Sequence, residues 1–158
     1  MSTSVRKVLF PGSFDPFTKG HADIVKRGLH IFDHIVIGVG FNENKAGWIP
    51  VEERVKALKA LYAGDSRITV ESYSCLTADF AQQCGAMAIL RSIRSVKDYE
   101  YELQIAEMNK QLTGIETLFL FADPQLSSVS SSIVRELAHF GKDIKSFLPE
   151  GLCYSNIK

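Results

Sequence analysis

The sequence predicts an α/β domain in which a doubly wound, five-stranded parallel sheet carries helices on both faces, a Rossmann-like arrangement. Strand-like and helix-like segments alternate almost throughout the 158 residues, which is typical of parallel sheets. The run HIVIGVG at residues 34–40 is nearly continuous in apolar residues, as expected for a strand buried on both faces. The simplest doubly wound strand order is 3-2-1-4-5, with right-handed crossovers.

Five strands and five helices are expected in alternation. The strands are residues 8–10, His34–Gly40, Ile68–Tyr73, 86–90 and 117–122. Between and after them apolar residues recur at helical spacing. The expected helices are residues 22–32, 51–63, Thr77–Gln83, 98–112 and 131–140. Because no repeat or linker divides the chain, residues 1–158 are expected to form one domain.

The composition excludes several classes of protein. With 18 basic and 18 acidic side chains the formal net charge is zero, which disfavours a general nucleic-acid surface. Three widely spaced cysteines without a CxxC pattern predict neither a disulfide framework nor a zinc site. No apolar run approaches the ~20 residues that a membrane span needs, and the N-terminus lacks the apolar core of a signal peptide. We therefore expect a cytoplasmic protein without nucleic-acid or membrane partners.

Ligands of doubly wound sheets bind at the carboxyl ends of the strands beside the topological switch, here between strands one and four. The loop PGSFDPFTKGH at residues 11–21 follows strand one and places His21 in the first turn of a helix. Helix N-termini hold phosphate well, and Gly12 and Gly20 allow close backbone approach. The loop matches neither GxxxxGK[ST] nor GxGxxG. The alternative is a Gly/Pro-rich loop with a surface histidine.

Two further loops are expected at the same edge of the sheet. Arg91 and Arg94 fall in RSIRS after strand four, and their forked donors suit phosphate oxygens; the alternative is a pair of solvated arginines. The segment SVSSSIVR at residues 128–135 begins a helix with serine hydroxyls, which predicts a second anion cradle. A serine-rich cap or flexible linker is the alternative for this segment.

The helix from residue 98 has two distinct faces. Its apolar stripe comprises Tyr101, Ile105, Met108 and Leu112. A narrow polar face beside the stripe comprises Asp98, Glu102 and Asn109, with an ordinary solvated face as the alternative. Lys45 lies alone in the long loop after strand two. Because donors and positive charge dominate, and neither a Ser-His-Asp motif nor a metal-ligand cluster occurs, the inventory suits transfer of a phosphorus centre.

Thr18-Lys19-Gly20-His21 resembles the (T/H)xGH signature of the nucleotidyltransferase superfamily. Nearly end to end, the chain resembles the bacterial phosphopantetheine adenylyltransferases within it. The segments that carry this resemblance are PGSFDPFTKGH, EER at 52–54, RSIR at 91–94, DYEYE at 98–102, Met108-Asn109, SSVSSSIVRE at 127–136 and FLPE at 147–150. Each segment is weak alone, but together and in order they are highly specific.

The resemblance implies adenylyl transfer from ATP to 4′-phosphopantetheine, which yields dephospho-coenzyme A and pyrophosphate in coenzyme A biosynthesis. Mg²⁺ would accompany ATP, and no side chain is assigned as a metal ligand. The resemblance also implies a homohexamer and makes coenzyme A a candidate feedback inhibitor. The competing interpretations are another nucleotidyltransferase of the superfamily, such as a nicotinamide-mononucleotide adenylyltransferase or a cytidylyltransferase, and a nucleotide sensor without catalysis.

The resemblance also assigns residues. Those implied to contact ATP are Ser13, Phe14, His21, Ser92, Ile93, Arg94, Glu102, Leu126, Ser127, Ser128, Val129, Ser130, Ser131 and Ser132. Those implied to contact phosphopantetheine are Ser13, Lys45, Leu76, Thr77, Arg91 and Asn109. The implied catalytic residues are Ser13, His21 and Lys45, which would stabilise charge at the α-phosphorus, and Arg94, which would hold the outgoing phosphates.

Three positions depart from the family's usual residues. Ser13 stands where threonine is usual, which keeps the hydroxyl. Ser92 replaces the usual glycine between the two arginines, so approach of the backbone to the nucleotide is more restricted. Leu126 lies where an aromatic residue often sits near the adenine. Adenine recognition is therefore expected to differ most from that of relatives.

Overall fold

A computed structural model describes residues 4–155 and 157. Its centre is one five-stranded parallel sheet in the order β3-β2-β1-β4-β5. The strands are β1 Lys7–Gly12, β2 His34–Gly40, β3 Ile68–Tyr73, β4 Ala88–Ile93 and β5 Glu116–Phe121. The order confirms the predicted 3-2-1-4-5 arrangement and places the topological switch between β1 and β4.

Five helices connect and follow the strands. They are α1 Lys19–Gly28, α2 Val51–Leu61, α3 Thr77–Gln83, α4 Val96–Thr113 and α5 Ser131–His139, and a short 3₁₀ helix spans Lys145–Phe147. The predicted bounds of β2, β3 and α3 agree with these, and the other ends differ by a few residues. In the described part of the chain, no helix is both long enough and apolar enough to cross a membrane.

The sheet is buried on both faces because its strands alternate between two apolar clusters. Val8 and Phe10 of β1 point to a cluster that includes residues of α1, α2, α5 and the C-terminal segment. Leu9 points to the opposite cluster, which α3 supplies with Phe80 among others. This double burial explains why the β2 sequence is apolar at nearly every position rather than at alternate ones.

The end of β4 and the start of α1 differ from the sequence prediction at the site. Strand β4 runs to Ile93, so Arg91 and Ser92 lie within the sheet and not in the loop after it. An arginine can occupy this strand because buried Glu102 pairs with it. Helix α1 begins at Lys19, earlier than expected, because Thr18 caps it and receives a backbone hydrogen bond from His21.

The two faces of helix α4 have opposite surroundings. Three of the four residues of its apolar stripe, Tyr101, Met108 and Leu112, are each more than half exposed, while Glu102 of the polar face is only 7 % exposed. The polar face of α4 therefore faces the protein. In the preceding helix, Phe80 is buried and stacks on Tyr73, with ring centroids 4.5 Å apart.

Candidate active site

Two neighbouring cavities open at the carboxyl edge of the sheet, beside the switch between β1 and β4. Both are lined by Pro11, Gly12, Ser13, Arg91 and Glu102, which we call the shared wall. The first cavity adds residues from the starts of α1, α4 and α5, including His21, Arg94, Asp98, Leu126, Val129 and Ser130 to Ser132. The second cavity adds Tyr73, Thr77, Ile105, Asn109 and Thr117, among others.

His21 is held by the cap of its own helix. The Thr18 backbone N–H donates to His21 Nδ1 at 3.0 Å, and the His21 backbone N–H donates to Thr18 Oγ1 at 3.5 Å. Histidine thus takes the place that glutamate or glutamine has in the usual capping box. Because Nδ1 accepts a hydrogen bond, a neutral ring carries its proton on Nε2. His21 therefore provides one N–H donor besides those of the helix backbone.

Aromatic rings surround this imidazole. The His21 ring lies 5.0 Å from the Phe14 ring and 5.3 Å from the Phe17 ring, measured between centroids. Burial, together with the positive charges of Arg91 and Arg94, lowers the pKa of His21 to about 3. At neutral pH, His21 is thus an uncharged hydrogen-bond donor.

Phe14 explains why glycine occupies position 12. Phe14 adopts a left-handed backbone conformation with φ of 48°, which is strained for a bulky residue. Its ring atoms lie 2.9 Å from where a Cβ of residue 12 would sit. Gly12 is therefore required by the packing of Phe14, in addition to lining both cavities.

Arg91 is oriented within the shared wall by three hydrogen bonds. Its Nε and Nη2 donate to the two carboxylate oxygens of Glu102 at 2.8 and 2.5 Å. Its Nη1 donates to the Pro11 carbonyl at 2.7 Å. A bidentate pair of this kind fixes the plane of the guanidinium. Arg91 is thus held between the two cavities by contacts within the protein itself.

Arg94 differs from Arg91 in both position and support. It lines the first cavity only. Its Nε donates to Asp98 at 3.0 Å, and its side chain is 38 % exposed. The two arginines therefore do not occupy equivalent places, because Arg91 faces both cavities and Arg94 faces one.

The serines at the start of α5 are engaged with the protein itself. Ser130 Oγ caps the helix by accepting from the Ile133 N–H at 3.2 Å. Ser131 Oγ donates to the Pro16 carbonyl at 2.7 Å, and Ser132 Oγ accepts from Arg135 at 3.2 Å. The first-turn N–H groups of a helix have no intrahelical acceptor. The anion cradle predicted here therefore consists of backbone donors, which the hydroxyls hold in place.

The second cavity presents hydroxyl and amide groups. The Tyr73 and Thr77 hydroxyls are 2.9 Å apart, and Asn109 reaches the cavity from α4. Thr117 Oγ1 is buried and has no hydrogen-bond partner within the described ranges. Burying such a group without a partner costs free energy, so a ligand donor or acceptor beside it would be stabilising.

The structure brings most of the predicted site residues to the two cavities, but it leaves five outside the linings. These are Lys45, Leu76, Ile93, Ser127 and Ser128. Ile93 is 4 % exposed in the core, and Leu76 is 61 % exposed at the start of α3. Lys45 forms an isolated bridge with Asn42 in an exposed loop. For these five residues, contact with substrate stays a prediction.

Sequence reasoning missed other residues near the site. Tyr73 and Thr117 line the second cavity from the carboxyl end of β3 and from β5, and no motif marked them. Two buried charged residues were also missed, namely Asp15 in the loop that carries Ser13 and Arg54 in α2. Arg54 belongs to the EER segment, so a signal for it was present, but spacing alone did not indicate what it contacts. Among the described residues, no group of three or more His, Cys, Asp and Glu side chains could hold a metal ion.

The class of protein follows from fold, site and sequence together. A family model described as cytidylyltransferase-like matches residues 9–137, and the chain belongs to this family. The fold resembles that of a bifunctional NMN adenylyltransferase/ADP ribose pyrophosphatase from Francisella tularensis, with a TM-score of 0.67 at 15 % identity. That match covers 91 % of this chain but only 45 % of the bifunctional chain, and at this identity it shows the shared fold alone.

Relatives identify the particular family. The phosphopantetheine adenylyltransferase of Phocaeicola vulgatus is 54 % identical over 148 residues, which cover 94 % of this chain and 98 % of that protein. The enzyme of the same name from Porphyromonas gingivalis is 50 % identical, over 90 % of this chain and 94 % of that protein. The one from Thermobifida fusca is 43 % identical, over 92 % and 88 %. The chain belongs to the phosphopantetheine adenylyltransferase family.

Proposed function

We propose that this protein transfers the adenylyl group of ATP to 4′-phosphopantetheine, forming dephospho-coenzyme A and pyrophosphate in coenzyme A biosynthesis. The shared wall between the two cavities is the observation that carries the proposal. ATP in the first cavity and phosphopantetheine in the second would meet at Ser13 and Arg91. The phosphate of the acceptor would then stand beside the α-phosphorus of the nucleotide, as an in-line displacement requires.

The first cavity suits a triphosphate because its donors converge from several elements. The N-termini of α1 and α5 supply backbone N–H groups and partial positive charge. The neutral imidazole of His21 supplies one more donor, and Arg94 supplies a cation. We propose that His21 and Ser13, together with Lys45 from the loop after β2, stabilise charge at the α-phosphorus. Arg94 would hold the departing pyrophosphate. Because the attacking phosphate is already ionised, no general base is needed.

Mg²⁺ is proposed to enter the site together with ATP. This ion prefers phosphate oxygens and water to an all-protein cage, and it would neutralise part of the charge on the leaving phosphates. The chain's own contribution would be the arginine and the helix N-termini around those phosphates.

The second cavity suits the pantetheine arm. That arm alternates amide groups with short apolar segments, and the cavity is lined by both polar and apolar side chains. Thr77, Asn109 and the unpartnered Thr117 hydroxyl are available to its amides. We propose that Arg91 binds the acceptor phosphate from the shared wall. Lys45 and Leu76 are proposed to contact the acceptor from outside the cavity, at its open side.

Pyrophosphate release from ATP tests this function. The purified protein should release pyrophosphate with 4′-phosphopantetheine, and far less with nicotinamide mononucleotide or glycerol 3-phosphate as acceptor. A His21→Ala preparation, purified in parallel, controls for contaminating enzymes. Preference for nicotinamide mononucleotide or glycerol 3-phosphate would favour another nucleotidyltransferase activity. ATP binding without release on any acceptor would favour a sensor.

We further propose that the protein assembles as a homohexamer. Large apolar side chains are exposed on α4 and the edge strand β5, namely Val96, Tyr101, Met108, Leu112, Leu118 and Phe121. Exposed apolar residues on neighbouring elements are typical of an interface, and closed symmetric assemblies are common. Light scattering during size-exclusion chromatography should give six times the chain mass of 17.6 kDa. A mass near that of one chain would contradict the assembly.

Two further properties are proposed with this activity. Coenzyme A carries an adenine nucleotide and a pantetheine arm, so it could span both cavities and compete with both substrates. Inhibition that is relieved by raising the concentration of either substrate would support that role.

A cytoplasmic location fits the free thiols of Cys75 and Cys153, which are both exposed, because such thiols persist in reducing compartments.

A further inference from the structure

Two buried charged residues are not explained by the cavities. Asp15 is 7 % exposed and Arg54, in α2, is 4 % exposed, and neither lines the first or the second cavity. Buried charges are costly unless they are paired or fully hydrogen-bonded. Their contacts should therefore show what they hold in place.

Both residues bind the end of the loop that carries Lys45. The Asp15 carboxylate accepts hydrogen bonds from the backbone N–H groups of Trp48 and Ile49, at 2.7 and 2.8 Å. Arg54 Nε donates to the Ile49 carbonyl at 2.9 Å, and Arg54 Nη1 donates to the Ser13 carbonyl at 2.5 Å. The Asp15 carboxylate and the Arg54 guanidinium thus connect segment 47–49 to the Ser13 loop. We call this arrangement the loop clamp.

Gly47 lies where the clamp is tightest. A Cβ at this position would stand 2.9 Å from Asp15 Oδ2 and 3.2 Å from Arg54 Nη2. Even the smallest side chain would push the carboxylate or the guanidinium away. Gly47 does not have a positive φ, so the close approach of the two charged groups is what favours glycine here.

The Ser13 loop has independent supports, so the clamp is not needed to form it. Arg135 donates to the Asp15 carbonyl at 2.6 Å, and the Phe17 N–H donates to the Tyr154 hydroxyl at 3.1 Å. Segment 47–49, in contrast, is connected to that loop through Asp15 and Arg54. Loss of the clamp would therefore release the Lys45 loop more than the Ser13 loop.

We propose that Asp15 and Arg54 are positioning residues that set the base of the Lys45 loop relative to Ser13. This inference rests on the proposed function. Lys45 is two residues before Gly47. The clamp therefore sets the position of the backbone from which the Lys45 side chain would reach toward the shared wall. Small misplacements of charge-stabilising groups lower rates steeply. The clamp would thus act through Lys45 on the acceptor phosphate and on kcat, and little on ATP binding.

A matched pair of glycine variants tests the clamp without removing a charge. Gly47→Ala should lower kcat by about tenfold or more and raise KM for phosphopantetheine, with KM for ATP changed less than about twofold. Gly64→Ala is the control, because a Cβ there meets nothing within 4 Å and its φ is not positive. It should stay within about twofold of wild type. Arg54→Lys keeps the charge but replaces the two nitrogens that reach the Ile49 and Ser13 carbonyls with a single one, so it should resemble Gly47→Ala.

A double-mutant cycle separates positioning from general destabilisation. In a Lys45→Ala background, Gly47→Ala should lower kcat by less than about twofold, because the residue it positions is gone. A full tenfold loss in both backgrounds would overturn the inference, as would wild-type kcat and KM in Gly47→Ala. If the wild-type protein released no pyrophosphate with any acceptor, the proposed function would fail instead.

Trp48 provides a readout that does not depend on turnover. It is the chain's one tryptophan, and its backbone N–H is held by Asp15. The emission of Trp48 should change when 4′-phosphopantetheine binds, and Gly47→Ala should alter the unliganded spectrum while Gly64→Ala should not. Identical unliganded spectra for wild type and Gly47→Ala would show that the clamp was not disturbed and would count against it.

Discussion

The first and second cavities share one wall yet differ in how they can hold a ligand. The first is surrounded by helix N-termini, His21 and Arg94, so its attraction is electrostatic and suits phosphates. The second offers hydroxyls and an amide between apolar side chains, and its specificity must come from shape and individual hydrogen bonds. Arg91 and Glu102 belong to both. Charge is thus concentrated where the transfer is proposed to take place, whereas the proposed site of the acceptor arm is mostly uncharged.

The largest expected effect is that of replacing His21, which lines the first cavity. His21→Ala should lower kcat by about 10²–10³ while KM for ATP changes little, because loss of one preorganised donor acts mainly on the transition state. Steady-state pyrophosphate release measures both constants. His30→Ala is a matched control, since His30 is exposed just beyond the other end of the same helix. A kcat within a few-fold of wild type would remove His21 from the proposed chemistry.

Arg91 and Arg94 should each contribute mainly to the binding of one ligand, because Arg91 lines both cavities and Arg94 lines only the first. Arg91→Ala should weaken phosphopantetheine binding more than ATP binding, and Arg94→Ala should do the reverse, each by about tenfold for its own ligand. Calorimetric titration of both variants with both ligands gives the four affinities. Because Arg91 also pairs with Glu102, a fold check by circular dichroism accompanies it. Equal losses for both ligands would mean that the arginines serve one common site.

The neutral state of His21 should make the protein less stable in acid. An unfolded histidine takes up a proton near pH 6.5, whereas burial and the two arginines hold the pKa of His21 at about 3. Between these values the unfolded state binds more protons, so the free energy of unfolding falls as the pH decreases through this window.

Urea denaturation at pH 7 and pH 5 measures this dependence. The His21 contribution should lower stability at pH 5 by about 2 kcal/mol relative to pH 7, and His21→Gln should lack it. His34, whose pKa is also lowered, with burial as the main cause, contributes in the same direction in both proteins. The same pH dependence in wild type and His21→Gln would show that folding does not lower the pKa of His21.

The smallest expected effect is that of replacing Leu126, which lines the first cavity from the segment between β5 and α5. Leu126→Trp should tighten ATP binding by a few-fold, on the order of 1 kcal/mol at most, because an indole adds apolar area and a stacking face. ATP titration by calorimetry gives the affinity. The affinity for phosphopantetheine serves as the internal control and should not change. Unchanged ATP affinity would place Leu126 outside the adenine pocket.

Much of the site could be predicted because it depends on local chain geometry. The loop before α1, the RSIR segment and the serines at the start of α5 each lie at or after the carboxyl end of a parallel strand, and parallel strands end at one edge of the sheet. Strand order then brings these segments together. The polar face of α4 was also visible in the sequence, but the direction in which it points was not, because an amphipathic pattern alone does not tell which face of a helix packs against the protein.

Contacts between distant segments could not be predicted in the same way. Glu102 is eleven residues from Arg91 and joins it only because α4 folds back over β4. Asp15 reaches Trp48 across 33 positions, and no periodicity links the two. The low pKa of His21 likewise comes from phenylalanine rings and arginines on several elements.

The sequence by itself determined the element order, the parallel sheet and the edge at which the ligands are proposed to bind, because apolar periodicity and turn residues act over a few neighbouring positions. Only the tertiary structure decided that Arg91 lies inside a strand against a buried carboxylate, that the α5 serines hold a backbone cradle, and that Asp15 and Arg54 clamp a loop. Those features depend on which buried polar groups find partners across the fold, and that is settled only when the segments are packed together.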